Sequence, residues 1–151
     1  MKCVIVCVGT DKISGDSLGP MVGSLLRTRY HVPCPVFGVE GHTVNGVNLA
    51  HYRACLARWF PNVPIIAVDA ALGRPEEVGQ IRYRLGGVQA GCALGRRHGG
   101  IGHLAVLGVV GVKGEDALAT LLEVPFGEVE RLAERIARHL AAALTAEATA
   151  C

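Results

Sequence analysis

Two aspartates in this sequence have the residue type and the spacing that acid–base chemistry requires. Asp16 lies in the glycine-rich segment 9–20, which follows the apolar run Val4 to Val8. Asp69 directly follows a second apolar run, Val63 to Val68. If both runs are neighbouring strands of a parallel sheet, their carboxyl ends open onto one crevice and the two carboxyls face each other. Like charge then raises one pKa, so one carboxyl holds a proton while the other activates water for hydrolysis of an amide or ester.

The segment around Asp16 resembles a phosphate-binding loop, but its charge and its glycine spacing are wrong for one. A phosphate-binding loop places Lys after its last glycine, whereas Asp16 and Ser17 follow Gly15 here. These residues therefore argue against nucleotide binding. The simpler structural alternative is that Asp16 or Ser17 caps the following helix, because both residue types are favoured caps. The second acid at Asp69 favours chemistry over capping.

Other residues near the two aspartates are candidates for binding a metal or a substrate. Asp16 and Asp69 could hold a divalent metal ion together with His42 or His103, and the simpler interpretation of His103 is a polar residue at a strand start. Asp11 either supports the site or closes a local turn, and we favour the turn. The residues expected to line the crevice and bind substrate are Thr10, Asp11, Ser17, Asn48 and Gly91.

The elements that must position these residues alternate between strand and helix along the chain. Such alternation predicts one α/β domain over residues 1–144, with a mostly parallel sheet and helices on both faces, followed by a flexible tail at 145–151. The last helix carries an apolar stripe that could partly serve a homodimer. The predicted strands are 2–9, 36–39, 63–68, 79–85 at an edge and 104–112, and the predicted helices are 21–29, 47–60, 115–123 and 125–148.

Composition and charge argue against several classes of function. The net charge of +2 and the lack of any basic run longer than Arg96-Arg97 argue against nucleic-acid binding. No apolar stretch reaches about 18 residues, so no membrane span is predicted and we expect a soluble, cytoplasmic protein. None of the six cysteines forms a Cys-x-x-Cys pair, which argues against a zinc ribbon and favours thiols buried in a reducing cytosol.

The glycine-rich segment 86–102 follows the predicted edge strand and is too irregular for a helix or a strand. Long loops of this kind are often functional. Its glycines would let the main chain approach an extended peptide, and addition of a peptide to a sheet edge is a known recognition mode. We therefore expect a protein or peptide partner, with a disordered surface loop as the alternative.

Two motifs around the aspartates are specific enough to compare with known families. They are Val8-Gly9-Thr10-Asp11 with Ser14-Gly15-Asp16-Ser17-Leu18-Gly19-Pro20, and Ile65-Ile66-Ala67-Val68-Asp69-Ala70-Ala71-Leu72-Gly73. With them the chain resembles the YyaC family of sporulation proteins (DUF1256), which is related to the germination protease Gpr and, more distantly, to the hydrogenase maturation proteases. The resemblance implies a three-layer α/β/α sandwich with a phosphorylase/hydrolase-like sheet.

The resemblance also implies roles for the two acids. In the germination protease the proposed catalytic aspartates occupy the positions of Asp16 and Asp69. In the hydrogenase proteases the same two positions, with a histidine, bind nickel of the target subunit. The expected function is therefore a spore protease-like peptidase that acts on a protein in the cytoplasm during sporulation or germination. A metal-dependent hydrolase that uses Asp16, Asp69 and His103 is an alternative.

One departure from the family pattern favours a non-catalytic alternative. The family usually has Val-His-Ala where this chain has Val44-Asn45-Gly46. If that histidine takes part in the reaction, its loss leaves a sporulation protein that binds a peptide or protein in the same crevice without cutting it.

Overall fold

The computed structural model describes residues 2–90 and 100–149, with side chains described as far as residue 146. Two short 3-10 turns, Gly15–Ser17 and Pro75–Glu77, precede α1 and β4. The strands and helices follow one another as β1 (Val4–Cys7), α1 (Leu18–Thr28), β2 (Val36–Phe37), α2 (Leu49–Trp59), β3 (Ile65–Gly73), β4 (Ile81–Leu85), β5 (Leu104–Val112), α3 (Ala117–Glu123) and α4 (Phe126–Thr149).

The described strands form one sheet in the order β2-β1-β3-β5-β4. β1 pairs in parallel with β2 and β3, and β3 pairs in parallel with β5. β4 runs antiparallel to β5 at the edge of the sheet, in the region where an edge strand was predicted. Because β1 and β3 are parallel neighbours, the loop after β1 and the second half of β3 lie at the same edge of the sheet.

Helices cover both faces of the sheet, which confirms the predicted three-layer α/β/α architecture. On one face, Val22 of α1 and Ile136 of α4 share a core with Ile5 of β1. On the other face, Leu56 of α2 shares a core with Val6 of β1. All four residues of β1 are buried because the strand is apolar on both sides, as expected for the centre of a parallel sheet.

The strand that carries Asp69 is longer than the sequence predicted. Asp is disfavoured in strands, and the predicted strand ended at Val68. Instead, β3 continues to Gly73 because β5 continues beside it, with Asp69 opposite Leu107. Asp69 therefore lies inside β3. It is nevertheless level with the end of β1, since Cys7 at the end of β1 pairs with Val68.

The last helix, α4, uses its apolar stripe within the chain's own core. Val129, Leu132, Ile136 and Leu140 of this stripe are buried. Most of the stripe is thus used within the chain, and the homodimer stays a prediction. α4 reaches Thr149, beyond the domain boundary predicted at residue 144. Among the described residues, no helix combines the length and the apolar character needed to cross a membrane.

Candidate active site

Gly9 turns the chain out of β1 and toward the loop that carries Asp16. The backbone hydrogen bonds of the sheet continue as far as Gly9. The Val8 N–H donates to the Val68 carbonyl at 2.7 Å, and the Gly9 N–H donates to the Val44 carbonyl at 2.9 Å. Gly9 has φ +149°, and a β-carbon there would lie 2.2 Å from the carbonyl oxygen of Asp16. Glycine is required because the loop folds back against the end of its own strand.

Asp16 lies in the 3-10 turn before α1, and its carboxyl points back toward the end of β1. The Thr10 N–H donates to both the carbonyl oxygen and Oδ2 of Asp16, each at 3.1 Å. Capping of the following helix does not explain the position of Asp16. Ser17 is at the N-cap position of α1 but makes no side-chain capping bond, because its hydroxyl donates to the Ser14 carbonyl at 2.5 Å.

Asp69 is almost fully buried, with 9% of its surface exposed. Its position inside β3 fixes its backbone, and the Ala70 N–H donates to its Oδ1 at 2.8 Å. One oxygen of the carboxyl is thereby held by the main chain. The carboxyl lies level with the start of the Gly9–Ser17 loop, so β3 presents it to the segment that holds Asp16.

The two carboxyls interact, and both prefer to carry a proton more than ordinary aspartates do. Burial raises the pKa of Asp16 from 3.8 to about 6, against the lowering effect of the Thr10 N–H. Burial raises the pKa of Asp69 well above 3.8, and the negative charge of Asp16 raises it further. Because the charge of one carboxyl raises the pKa of the other, the pair favours a state with one proton, which the more deeply buried Asp69 holds more readily than Asp16.

The third helix supports the Asp16 loop from the side. The Ser14 hydroxyl donates to the Val124 carbonyl at 2.6 Å. Gly15 packs so tightly that a β-carbon there would lie 2.9 Å from both the carbonyl oxygen and a side-chain carbon of Leu121. Sequence analysis named Ser14 and Gly15 only as part of the motif around Asp16 and missed their contacts with α3, because Ser14 and Val124 are 110 residues apart.

The other predicted loop residues mostly hold the loop together. The Thr10 hydroxyl accepts from the Lys12 N–H at 3.3 Å, which makes Thr10 the residue that closes the local turn. Asp11 does not make the local turn contact that we favoured. Its Oδ2 accepts from the Gly41 N–H at 2.9 Å, which ties the loop to the segment after β2.

Asn48 organises the segment that borders the end of β1. Its side chain accepts from the Asn45 N–H at 2.8 Å and donates to the Thr43 carbonyl at 2.9 Å, immediately before α2 begins. Asn48 therefore shapes one wall of the crevice through local bonds. Gly91, the remaining predicted substrate contact, lies outside the described residues.

His103 is at the wrong end of the sheet to join the aspartates. It directly precedes β5, its Nδ1 accepts from the Ile65 N–H at 2.9 Å, and its own N–H donates to the Ile65 carbonyl at 2.7 Å. Asp69 is four residues along β3 from Ile65, a distance of roughly 13 Å. The predicted metal site with His103 is therefore corrected, because parallel pairing places residues before a strand at the amino edge.

A metal ion at the acid pair would need at least one further protein ligand. Among residues 2–90 and 100–149, no group of three His, Cys, Asp or Glu side chains is placed to hold a metal ion. The described residues therefore do not form the acid–histidine nickel site of the hydrogenase proteases, and His42 does not complete such a group.

The acid pair lies at the carboxyl edge of the sheet and is separate from the large groove between α1 and α4. That groove has a volume of about 750 Å³ and runs between α1 and α4, with Met21, Arg29, Glu130 and Arg131 in its walls. Neither aspartate lines it. The functional argument therefore depends on the chemistry of the carboxyl pair.

Comparison with protein families and curated proteins gives concordant results. The model of a family described as protein of unknown function (DUF1256) matches residues 1–139. The uncharacterized protein YyaC of Bacillus subtilis (strain 168) is 36% identical over 115 residues, which cover 74% of this chain and 54% of the relative. The chain thus spans about half the length of the curated relative that it matches.

Comparison with solved structures finds the same fold in a protease. The crystal structure of a NiFe hydrogenase maturation protease, HycI from Thermococcus kodakarensis KOD1, matches with a TM-score of 0.63. The match covers 95% of this chain and 92% of that chain, at 19% sequence identity. At this identity the likeness shows that the two chains share a fold.

Proposed function

Because the chain belongs to the DUF1256 family, whose function is unknown, we propose from the site itself that it is a peptidase-like hydrolase. Asp16 acts as the general base and Asp69 as the general acid. The observation that carries the proposal is the placement of buried Asp69 and partly buried Asp16 at the same edge of the sheet, where the charge of Asp16 helps to raise the pKa of Asp69. The protease-like fold supports the same class of reaction.

The protonation pattern assigns the two roles. Ionised Asp16 takes a proton from a water molecule in the crevice, and this water attacks the peptide carbonyl carbon. Protonated Asp69 donates a hydrogen bond to the carbonyl oxygen, where negative charge develops. After the tetrahedral intermediate forms, a carboxylic acid of the pair donates the proton that the leaving amine needs. The two aspartates thus have different roles, base and acid, because Asp69 is more deeply buried than Asp16.

The proposed substrate is a protein or an extended peptide. The proposed binding surface is formed by the loop after β1, the segment before α2 and the second half of β3, and Asp16 is partly exposed there. A role in sporulation or germination, in the cytoplasm of a spore-forming cell, belongs to the proposal through the family resemblance alone.

The proposal is tested with a peptide library prepared from a bacterial proteome, read by mass spectrometry for new termini. The wild-type protein is compared with Asp16→Asn, Asp69→Asn and the double variant, and Glu76→Gln is the matched control at an exposed carboxyl. Loss of one acid–base group should lower the rate by about 10²- to 10⁴-fold. Cleavage by the double variant at the wild-type rate would exclude this mechanism.

The pH profile of cleavage gives a second test with a defined sign. The rate should rise as the pH increases through about 6, because Asp16 must lose its proton to act as base. It should fall again at higher pH, when Asp69 loses its proton. A rate that is highest well below pH 6 would refute the assignment of Asp16 as the base.

The same experiment distinguishes the peptidase from the alternative of a protein that binds a peptide without cutting it. The segment Val44-Asn45-Gly46 is held by its own contacts, since the Asn45 side chain donates to the Thr43 hydroxyl at 2.8 Å and accepts from the Val47 N–H at 3.0 Å. A protein that retains library peptides without producing new termini would be the binder. Activity that EDTA removes and a divalent metal restores would instead indicate a metal-dependent hydrolase.

A further inference from the structure

A pair of cysteines lies at the amino edge of the sheet, opposite the edge that carries the aspartates. β1 and β2 pair in parallel, with Ile5 opposite Val36. Cys3 and Cys34 each come two residues earlier, which places them opposite one another with side chains on the same face. The Ile5 N–H donates to the Pro35 carbonyl at 2.9 Å, which fixes the register of the two strands just after the two cysteines.

The two thiols are near enough to interact. Cys3 is one of the causes of the raised pKa of Cys34, and neither cysteine is in a disulfide. Paired residues on neighbouring strands have Cα atoms about 5 Å apart, inside the 4.4–6.8 Å range of disulfides. Cys3 is buried with 7% of its surface exposed, while Cys34 is only half-buried and accessible from solvent.

We propose that Cys3 and Cys34 are a redox-modifiable dithiol that closes to a disulfide between β1 and the segment before β2. The co-reactant is a low-molecular-weight disulfide, R–S–S–R. The Cys34 thiolate attacks one of its sulfurs and forms a mixed disulfide, which releases R–S⁻. The Cys3 thiolate then attacks Cys34 Sγ and releases the second R–S⁻. The two cysteines are oxidised, the small disulfide is reduced to two thiols, and the two cysteine protons pass to solvent.

The surroundings make this a slow modification. Burial, with the neighbouring Cys3 as a further cause, raises the pKa of Cys34 to about 12. Few thiolates are present near neutral pH, so the exchange is expected to take hours. Once formed, the disulfide is shielded by the same burial and is slow to reduce.

The disulfide would secure the weakest strand of the sheet. β2 has two residues and pairs only with β1 among the described strands. It leads into the segment whose Gly41 holds the Asp16 loop through Asp11. A bond from Cys3 to Cys34 closes a loop of about 30 residues, which restricts the unfolded chain and raises stability. Because the thiols and the acids lie at opposite edges, the result of this test is independent of the proposed peptidase activity.

The experiment equilibrates the full chain in oxidised and reduced glutathione, both folded and during refolding from urea. Wild type is compared with Cys34→Ser, and Cys55→Ser is the matched control because Cys55 is a partly exposed thiol on α2. Tandem mass spectrometry identifies the linked peptides and must separate Cys3 from Cys7 by fragment ions. Thermal unfolding is followed with and without dithiothreitol.

We expect a Cys3–Cys34 link in wild type and in Cys55→Ser, and its absence in Cys34→Ser. The melting temperature should rise by roughly 10 °C on oxidation and return with dithiothreitol. Refolding in the redox buffer exposes both thiols, so slow access cannot hide the outcome. Refolded native protein in which Cys34 stays reduced, keeps glutathione, or links to another cysteine would overturn the proposal.

Discussion

Replacement of Asp16 by Asn should make the protein more stable at neutral and alkaline pH. Asn has nearly the same shape as protonated Asp, and its side-chain oxygen can still accept from the Thr10 N–H. The ionised carboxyl of Asp16 is partly desolvated in the folded state and fully hydrated in the unfolded state. Asn removes the cost of burying that charge while it keeps the packing.

The magnitude follows from the difference between the two pKa values. The folded pKa of about 6 and the ordinary value of 3.8 differ by about 2 pH units, which corresponds to about 3 kcal/mol. Because the folded pKa is raised, the folded state binds the proton more tightly than the unfolded state. The free energy of unfolding therefore falls as the pH rises from 3.8 through 6. The gain from Asn should be about 3 kcal/mol at pH 8, about half of that at pH 5 and about 0.5 kcal/mol at pH 4.

The assay is urea unfolding of wild type and Asp16→Asn at these three pH values. At pH 8 the gain corresponds to an increase in melting temperature of roughly 6–12 °C for a domain of this size. Glu76→Gln is the control, since Glu76 is exposed and its ion pair with Arg74 is on the surface. It should change stability by less than about 1 kcal/mol. An Asp16→Asn variant that is no more stable than wild type at pH 8, or whose gain does not depend on pH, would refute the argument.

Two further substitutions test how the Asp16 loop is held. Gly9→Ala should cost about 2–4 kcal/mol in the free energy of unfolding, because its β-carbon would meet the Asp16 carbonyl and the φ of +149° strains any other residue. Gly46→Ala is the control, since Gly46 has open space around it, and it should change stability by less than about 0.5 kcal/mol. Leu121→Ala should cost about 2–5 kcal/mol and reduce cleavage through the loosened loop, whereas exposed Leu122→Ala should do neither. Equal effects within either pair, measured by urea unfolding, would contradict the role assigned to the first residue.

The order of strands and helices along the chain could be predicted because each central element has a local signal in the sequence. The apolar runs at β1 and β5 and the stripe of α4 mark buried elements directly, and the structure has all three where they were predicted. The end of β3 had no such signal. Asp69 looks like a strand terminator, and only the pairing with β5, 38 residues further on, carries the strand past it to Gly73.

The site was predicted in part for the same reason. Strand direction was enough to bring Asp16 and Asp69 to one edge, because β1 and β3 run the same way and Asp69 is level with the end of β1. The same rule puts His103, which precedes its strand, at the other edge. The contacts of Ser14 with Val124 and of Asp11 with Gly41 are set by tertiary packing, and no pattern in the sequence indicates them.

The direction of the two pKa values favours the proposed chemical role of this acid pair over a structural one. An aspartate that caps a helix or joins an ion pair has its pKa lowered, because the partner stabilises the charge. Among the described residues, no ion pair includes Asp16 or Asp69, and burial raises both pKa values. Two unpaired, interacting carboxyls cost stability, and the chain holds them in place with Gly9, Leu121 and Asp11. A fold that keeps such a pair at the edge of its sheet has the arrangement expected for proton transfer.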